Sequence, residues 1–175
     1  MSRSRNRRVV ITGLGCVSPI GNTIADSWSA ALAGKSGITN ITKFDATAFS
    51  TRFAGEVTGF DIEQYIPAKE ARHMDTFIHF GMAAGIQALQ DSGLVVTEEN
   101  ADRIGVIIGS GIGGLPLIEE TKEEYAKRGP RRISPFFVPA SIINMISGNL
   151  SIKYGLRGPN LAIVTACTTD RKSVV

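Results

Sequence analysis

The sequence predicts an α/β protein built around a parallel sheet, and three observations carry that reading. Short continuous runs of apolar, mostly β-branched residues recur at 8–12, 103–108 and 161–164, the pattern of strands buried on both faces. Stretches with helical periodicity lie between them. Glycine-rich turns, Gly13-Leu-Gly15 and Gly109-Ser-Gly-Ile-Gly-Gly114, follow the first two runs directly.

Taken in order, residues 8–12 read as a buried first strand with the Gly13-Leu-Gly15 turn tight behind it. A helix is predicted over 23–33, because Thr23 followed by Asp26 resembles a capping box with Asp in place of Glu, and Gly34 supplies the stop. The turn-rich stretch 37–65 reads as a loop excursion with one short strand at 52–57. A long helix is predicted over 71–91, with Phe77, Phe80, Ala84 and Ala88 on one stripe and Ile78, Met82 and Ile86 on another. A helix apolar on several faces lies deep in a core. Gly93 ends it, and residues 103–108 form the second strand. A charged helix over 116–128, a proline-broken segment over 129–139 and a helix over 140–154 lead to the strand that ends near Cys167.

Composition narrows the class. The chain has 175 residues, 43% hydrophobic and 20% charged, which suits a soluble globular domain with a sizeable core. Two cysteines, Cys16 and Cys167, give no disulfide framework, so a reducing compartment, the cytoplasm, is expected. The basic start, Met1 to Arg8, precedes only Val9-Val-Ile11 before Thr12 and Gly13 intervene, too short for an export signal. No segment approaches the roughly 18 apolar residues of a membrane span. A net charge of +3, much of it in that arginine cluster, comes with no recognition motif, and no nucleic-acid partner is expected.

The chemistry concentrates at Asn160-Leu-Ala-Ile-Val-Thr-Ala-Cys167-Thr-Thr, an apolar run that delivers one cysteine into a polar turn. The small Ala166 lets the backbone turn sharply, so Cys167 is expected where a strand feeds a helix N-terminus. Backbone N–H groups and the helix dipole favour a thiolate there, and the thiolate is the nucleophile. On this feature alone an inert core cysteine remains the alternative. The segment Gly109 to Gly114 is a literal G-x-G-x-x-G, but a dinucleotide site needs an acidic residue about 20 positions on, where this chain reads Gly129-Pro-Arg131-Arg132. Glycines that let backbone pass close to backbone or to a ligand chain are the simpler reading. His73 and His79, six apart on a helix, point to different faces with no completing ligand, and read as solvated or satisfied core histidines rather than a metal site.

Together, Val9-Val-Ile-Thr-Gly-Leu-Gly15, Ser18-Pro-Ile-Gly21, Met74-Asp75, Ile108-Gly-Ser-Gly-Ile-Gly-Gly114, Ile133-Ser-Pro-Phe-Phe-Val-Pro139, Tyr154-Gly-Leu-Arg-Gly-Pro159 and Thr165-Ala-Cys-Thr168 resemble the β-ketoacyl-acyl carrier protein synthases. Within them the likeness is to the synthase II group of bacterial fatty-acid elongation. The resemblance implies a thiolase-like layered α-β-α-β-α fold of two similar halves working as a homodimer. Residues 1–169 match most of the first half only. It implies that Cys167 takes an acyl chain from acyl carrier protein as a thioester, with its backbone N–H in the oxyanion hole. A malonyl-loaded carrier is then decarboxylated and the carbanion attacks that thioester. Ile112 and Phe137 match acyl-pocket positions, Phe137 reaching in from the partner subunit. Lys69, Arg72, Arg131 and Arg132 match the basic patch that docks the acidic carrier. No cofactor or metal is implied.

The departures bear equally on function. The family's two decarboxylating histidines, a lysine and a gatekeeper phenylalanine belong to its second half, and His73 and His79, in a different motif, do not replace them. The 175-residue chain alone is therefore expected to be inactive. After Thr169 the family continues with glycine and a helix, whereas residues 170–175 read Asp-Arg-Lys-Ser-Val-Val. They back-translate as GAT-CGG-AAG-AGC-GTC-GTG, the start of a common sequencing adapter, so a non-native tail on an incomplete fragment is expected. The alternatives are a ketoacyl synthase domain of a polyketide enzyme, a thiolase, or a non-catalytic chain-length partner. The last usually lacks the nucleophilic cysteine.

Overall fold

Helices begin where the sequence supplies a cap. In the computed structural model, which describes residues 8–170, α1 (Ile24–Leu32) is capped by Thr23, whose hydroxyl oxygen accepts from the Asp26 N–H at 3.1 Å. The same hydroxyl donates to the Asp26 carboxylate at 2.7 Å, so Asp26 closes the box through the cap's side chain instead of its backbone. The loop excursion folds into an antiparallel hairpin of β1 (Ile38–Asn40) and β2 (Phe53–Gly55), with Thr39 opposite Ala54. The predicted strand at 52–57 thus has a partner that its neighbouring residues did not announce.

The long helix predicted over 71–91 starts only at Thr76, as α3 (Thr76–Ser92), and a separate short helix, α2 (Ala68–Ala71), precedes it. Asp75 divides them. Its backbone is extended (φ −69°, ψ 159°) and its carboxylate accepts from the Phe77 N–H at 3.2 Å. Asp competes poorly as an interior helix residue and well as a cap, so the cap prevails over continuation of the apolar pattern. At the other end Gly93 takes the left-handed conformation (φ 64°) and stops α3 as expected. Of the two stripes predicted on this helix, Ile78, Met82 and Ile86 are buried, whereas Phe77 and Phe80 are half-buried.

The second half of the chain forms one parallel crossover. β3 (Val106–Gly109) is followed by α4 (Leu115–Arg128), α5 (Phe137–Ser141), α6 (Met145–Tyr154) and β4 (Asn160–Ile163). The two strands pair in parallel from Val106 opposite Asn160 to Gly109 opposite Ile163. The predicted helix over 140–154 is interrupted at Ile142, which is extended (ψ 145°), so α5 and α6 are separate.

The core sits where α3 crosses α6. Ile66, Ile78, Met82, Ile86, Ile146 and Leu150 are buried together, with half-buried Val106 and Ile108 of β3 packed against them. Burying each large aliphatic chain contributes about 1.5–3 kcal/mol. The helices approach so closely that a Cβ on Gly81 would lie 2.6 Å from Ile146, and one on Gly85 2.5 Å from Leu150. Below this seam Ser147, fully buried, donates to Asn160 Oδ1 at 2.8 Å, and Asn160 Nδ2 returns a bond to the Ser147 carbonyl at 2.9 Å. Every polar atom in that pair is answered, and α6 is fixed to the start of β4.

Two strand expectations need correction. Residues 8–12 pair with no strand among the described residues, and Val9 and Ile11 are 92% and 82% exposed. A strand needs a ladder partner, and the backbone immediately after this run bonds to a helix instead. The Leu14 N–H donates to Asp91 Oδ2 at 2.9 Å and the Cys16 N–H to Gln87 Oε1 at 3.2 Å. The Gly13 to Gly15 segment is therefore a close approach to α3, where a Cβ on Gly15 would fall 1.9 Å from the Ala84 carbonyl oxygen, and not a tight turn. The strand leading to Cys167 is not buried on both faces either, because Leu161 and Val164 are each 52% exposed. Helix α6 covers one face of the β3–β4 pair, and among the described residues nothing encloses these two side chains.

The α3–α6 seam is directly testable. Gly81→Ala gains about 1 kcal/mol of helix propensity but drives a methyl into the stiff, buried Ile146. The net expectation is a loss of about 1–3 kcal/mol, read as a lower urea midpoint at unchanged slope. An unchanged or raised midpoint would show room between the helices.

Candidate active site

Cys167 sits in a 3-10 turn, Ala166–Thr168, that two residues separate from the end of β4. The turn is strained at one point: Ala166 has φ +50°, and among the described residues it is the one non-glycine with positive φ. Expectation and structure agree that the chain bends sharply at this small residue. The Cys167 side chain is exposed, and its N–H lies in the first turn of the 3-10 segment, where N–H groups lack partners within the segment.

Three threonines hold the bend. The Thr165 N–H donates to Thr169 Oγ1 at 2.9 Å, and the Thr169 hydroxyl donates to the Ala166 carbonyl at 2.7 Å. The Thr168 hydroxyl lies 3.0 Å from the Thr165 carbonyl and 3.0 Å from the Thr165 hydroxyl. Thr169 is 6% exposed, so its two bonds are shielded from water, where leaving a polar group unpaired would cost about 1–3 kcal/mol, whereas those of Thr168 are exposed. The sequence marked a polar turn here without distinguishing these roles. Spacing alone does not tell a buried threonine from a solvated one.

Parallel pairing brings the glycine segment beside this bend. The Ser110 N–H donates to the Ile163 carbonyl at 3.1 Å, continuing the ladder one residue past β3. From there a Cβ on Gly111 would lie 3.7 Å from the Ala166 carbonyl oxygen. The crevice beyond the carboxyl ends of parallel strands is where α/β folds hold ligands. The later glycines serve close approach: the Gly114 N–H donates to the Ser141 carbonyl at 2.9 Å, and a Cβ on Gly113 would lie 2.6 Å from that oxygen. Ile112, between Gly111 and Gly113, is 69% exposed.

Two of the other predicted residues meet at a separate place. Arg72 and Phe137 line one small cavity of about 70 Å³ with His73, Met74, Ser134 and Ala140. His73 stacks on Phe136 at 3.9 Å between ring centroids, so the Arg72–Met74 segment and α5 meet. Lys69 is exposed on α2, and Arg131 and Arg132 are exposed on the 3-10 turn Pro130–Arg132 against which α4 packs. None of these four cations makes an ion pair among the described residues, unlike Lys127, Arg128 and Arg157. His79 places Nε2 2.8 Å from the Ala71 carbonyl, a satisfied core histidine. Among the described residues no group of three or more His, Cys, Asp or Glu could hold a metal ion, and no helix is long and apolar enough to cross a membrane.

The residue that sequence reading passed over is Asp75. Its place just before the apolar run of α3 is the signal of a helix cap, but the apolar pattern on both sides led to one continuous helix. It is 8% exposed and its second carboxylate oxygen accepts from the Leu117 N–H at 3.0 Å, in the first turn of α4.

Comparison with known proteins gives the fold and the family. The structure superposes with a TM-score of 0.80, at 24% identity over 97% of this chain and 45% of the other, on a type II polyketide ketosynthase solved with its acyl-carrier protein. A ketosynthase/chain length factor pair matches with a TM-score of 0.76, at 28% identity over 91% of this chain and 40% of that one. These neighbours have the thiolase-like α/β fold. In sequence, the 3-oxoacyl-[acyl-carrier-protein] synthase 2 of Vibrio cholerae is 68% identical over 168 residues, 96% of this chain. The Staphylococcus aureus protein of that name is 48% identical over 171 residues, 98% of this chain. The chain spans about 41% of the length of each of these two relatives. A family model described as the N-terminal domain of β-ketoacyl synthase matches residues 6–173. Because that match runs through the glycine segment, the basic turn and the cysteine bend alike, the chain belongs to the β-ketoacyl synthase family.

Proposed function

We propose that this chain supplies the acyl-capturing half of a fatty-acid-elongating 3-oxoacyl-[acyl-carrier-protein] synthase, with Cys167 as the nucleophile. The observation that carries the reading is the exposed Cys167 on a strained bend at the carboxyl end of a parallel strand pair. The Cys167 sulfur attacks the thioester carbonyl of an acyl-loaded carrier. A new C–S bond forms, the carrier's thiol leaves, and the acyl chain rests on the enzyme. The Cys167 N–H then faces the oxyanion of each tetrahedral step; a fixed donor of this kind lowers such a barrier by roughly 3–4 kcal/mol. A malonyl unit loses carbon dioxide, its carbanion forms the C–C bond with the captured carbonyl, and the Cys167 thiolate is released. The 47–68% identity to proteins named synthase 2 favours fatty-acid elongation over polyketide assembly. Ile112 and Phe137 wall the acyl pocket, Phe137 across a homodimer.

Residues 1–169 belong to the N-terminal half-domain of that synthase. Capture and decarboxylation divide between parts of the whole enzyme. His73 is stacked on Phe136 and His79 is bonded to Ala71, so neither is placed to stabilise a malonyl carbanion. The 175-residue chain alone is accordingly inactive in condensation.

Three measurements bear on this, each on a full-length synthase in which residues 8–169 replace the segment they match in the Vibrio cholerae relative. Iodoacetamide should label exposed Cys167 at least about tenfold faster than half-buried Cys16; equal rates by peptide mapping would contradict the assignment. Cys167→Ala should abolish the acyl-enzyme adduct seen by intact mass. For docking, Lys69, Arg72, Arg131 and Arg132 form the patch that meets the acidic carrier. Arg131→Glu with Arg132→Glu should weaken carrier binding about tenfold, chiefly through a salt-sensitive association rate. Unchanged affinity at low salt would refute that role.

A further inference from the structure

Asp75 makes hydrogen bonds to three helices, α3, α4 and α5. One carboxylate oxygen caps α3 through the Phe77 N–H at 3.2 Å. The other reaches 42 residues along the chain to the Leu117 N–H at 3.0 Å. Helix α4 needs that bond, because its own cap residue, Gly114, has no side chain to offer. The Asp75 N–H donates to the Ala140 carbonyl of α5 at 3.2 Å. The junction is closely fitted: a Cβ on Gly114 would lie 3.1 Å from Asp75 Cβ and 2.9 Å from Ser141 Cα.

These contacts act on the elements that carry the pocket residues. The glycine segment is pinned at its start by the Ser110–Ile163 bond and at its end by the anchorage of α4. Ile112 lies between the two pins. Phe137 opens α5, whose Ala140 carbonyl is held by the Asp75 backbone. We propose that Asp75 is a positioning residue that bridges α3, α4 and α5, holding Ile112 at a fixed spacing from the Cys167 bend and Phe137 in place for the pocket across the homodimer, and so setting which acyl chains the enzyme accepts. This rests on the functional reading above and goes beyond it, since Asp75 itself touches no reacting atom.

Substitutions can separate bridging from capping. Asp75→Ser and Asp75→Asn each retain a good N-cap for α3 but offer a single acceptor, so the Leu117 N–H loses its partner. In the full-length synthase described above, the measurements are kcat and KM over a series of acyl-carrier substrates of increasing chain length, with the Cys167 adduct followed by mass. Both variants are expected to acylate Cys167. They should raise KM for the longer chains about fivefold or more and shift the chain-length profile, with kcat within about twofold. Asp75→Ala should show the same shift with a lower melting temperature besides, because it also uncaps α3. A profile unchanged in both the Ser and Asn variants would reduce Asp75 to an ordinary helix cap, and a loss of kcat at constant KM would equally overturn the proposal. If the unsubstituted synthase forms no adduct at Cys167, the functional reading fails and the Asp75 inference falls with it. An adduct in the unsubstituted enzyme with unchanged variants defeats the Asp75 role alone.

Discussion

The register of the β3–β4 pair is the constraint on which the site depends. Gly109 lies opposite Ile163, and the ladder runs on to Ser110, so the glycine segment and the cysteine bend leave the sheet side by side. A slip of one residue would reverse the faces of β4 and carry Cys167 away from Gly111. Register is therefore secured twice. Hydrogen bonds align the strands, and the Ser147–Asn160 pair ties the first residue of β4 to the helix lying across it. The two strands are joined through three helices, as a parallel connection requires, and the last of these is the helix whose Ile146 and Leu150 enter the core.

What the sequence made legible was local. Thr23, Gly34 and Gly93 act within one helical turn of where they stand, and each marks its boundary as read. Ala166 likewise announced a bend through its size. What stayed hidden depends on partners far along the chain. The runs 8–12 and 161–164 have similar composition, yet only the second gains a ladder among the described residues, and even it stays half open. Asp75 was obscured because apolar periodicity outweighed one capping residue in the reading, although the carboxylate has the opposite weight in the fold. The glycines at 13 and 15 have the local pattern of a turn, and nothing local reveals that α3 lies against them.

The site divides its labour between geometry and chemistry. The sulfur of Cys167 is set among backbone groups and threonine hydroxyls. Carbonyls of Ala166, Ile163 and Ser141, and N–H groups of Ser110 and Gly114, define where the loop and bend can go. This explains why the segment is rich in glycine and threonine and poor in charge. Charge appears instead at the outer border, on α2 and on the turn before α5, where Lys69, Arg72, Arg131 and Arg132 stay solvated without ion pairs among the described residues.

The α3–α6 seam also limits how this chain can change over generations. Gly81 and Gly85 give up their side chains so that Ile146 and Leu150 can occupy the space, which makes each glycine and its opposite residue a single shared volume. Neither member can grow unless the other shrinks, so substitutions there arise as correlated pairs and their separate costs do not add. Surface positions such as those on α4 drift one at a time. Relatives would therefore diverge quickly along the charged helix while the interior changes rarely and two positions together.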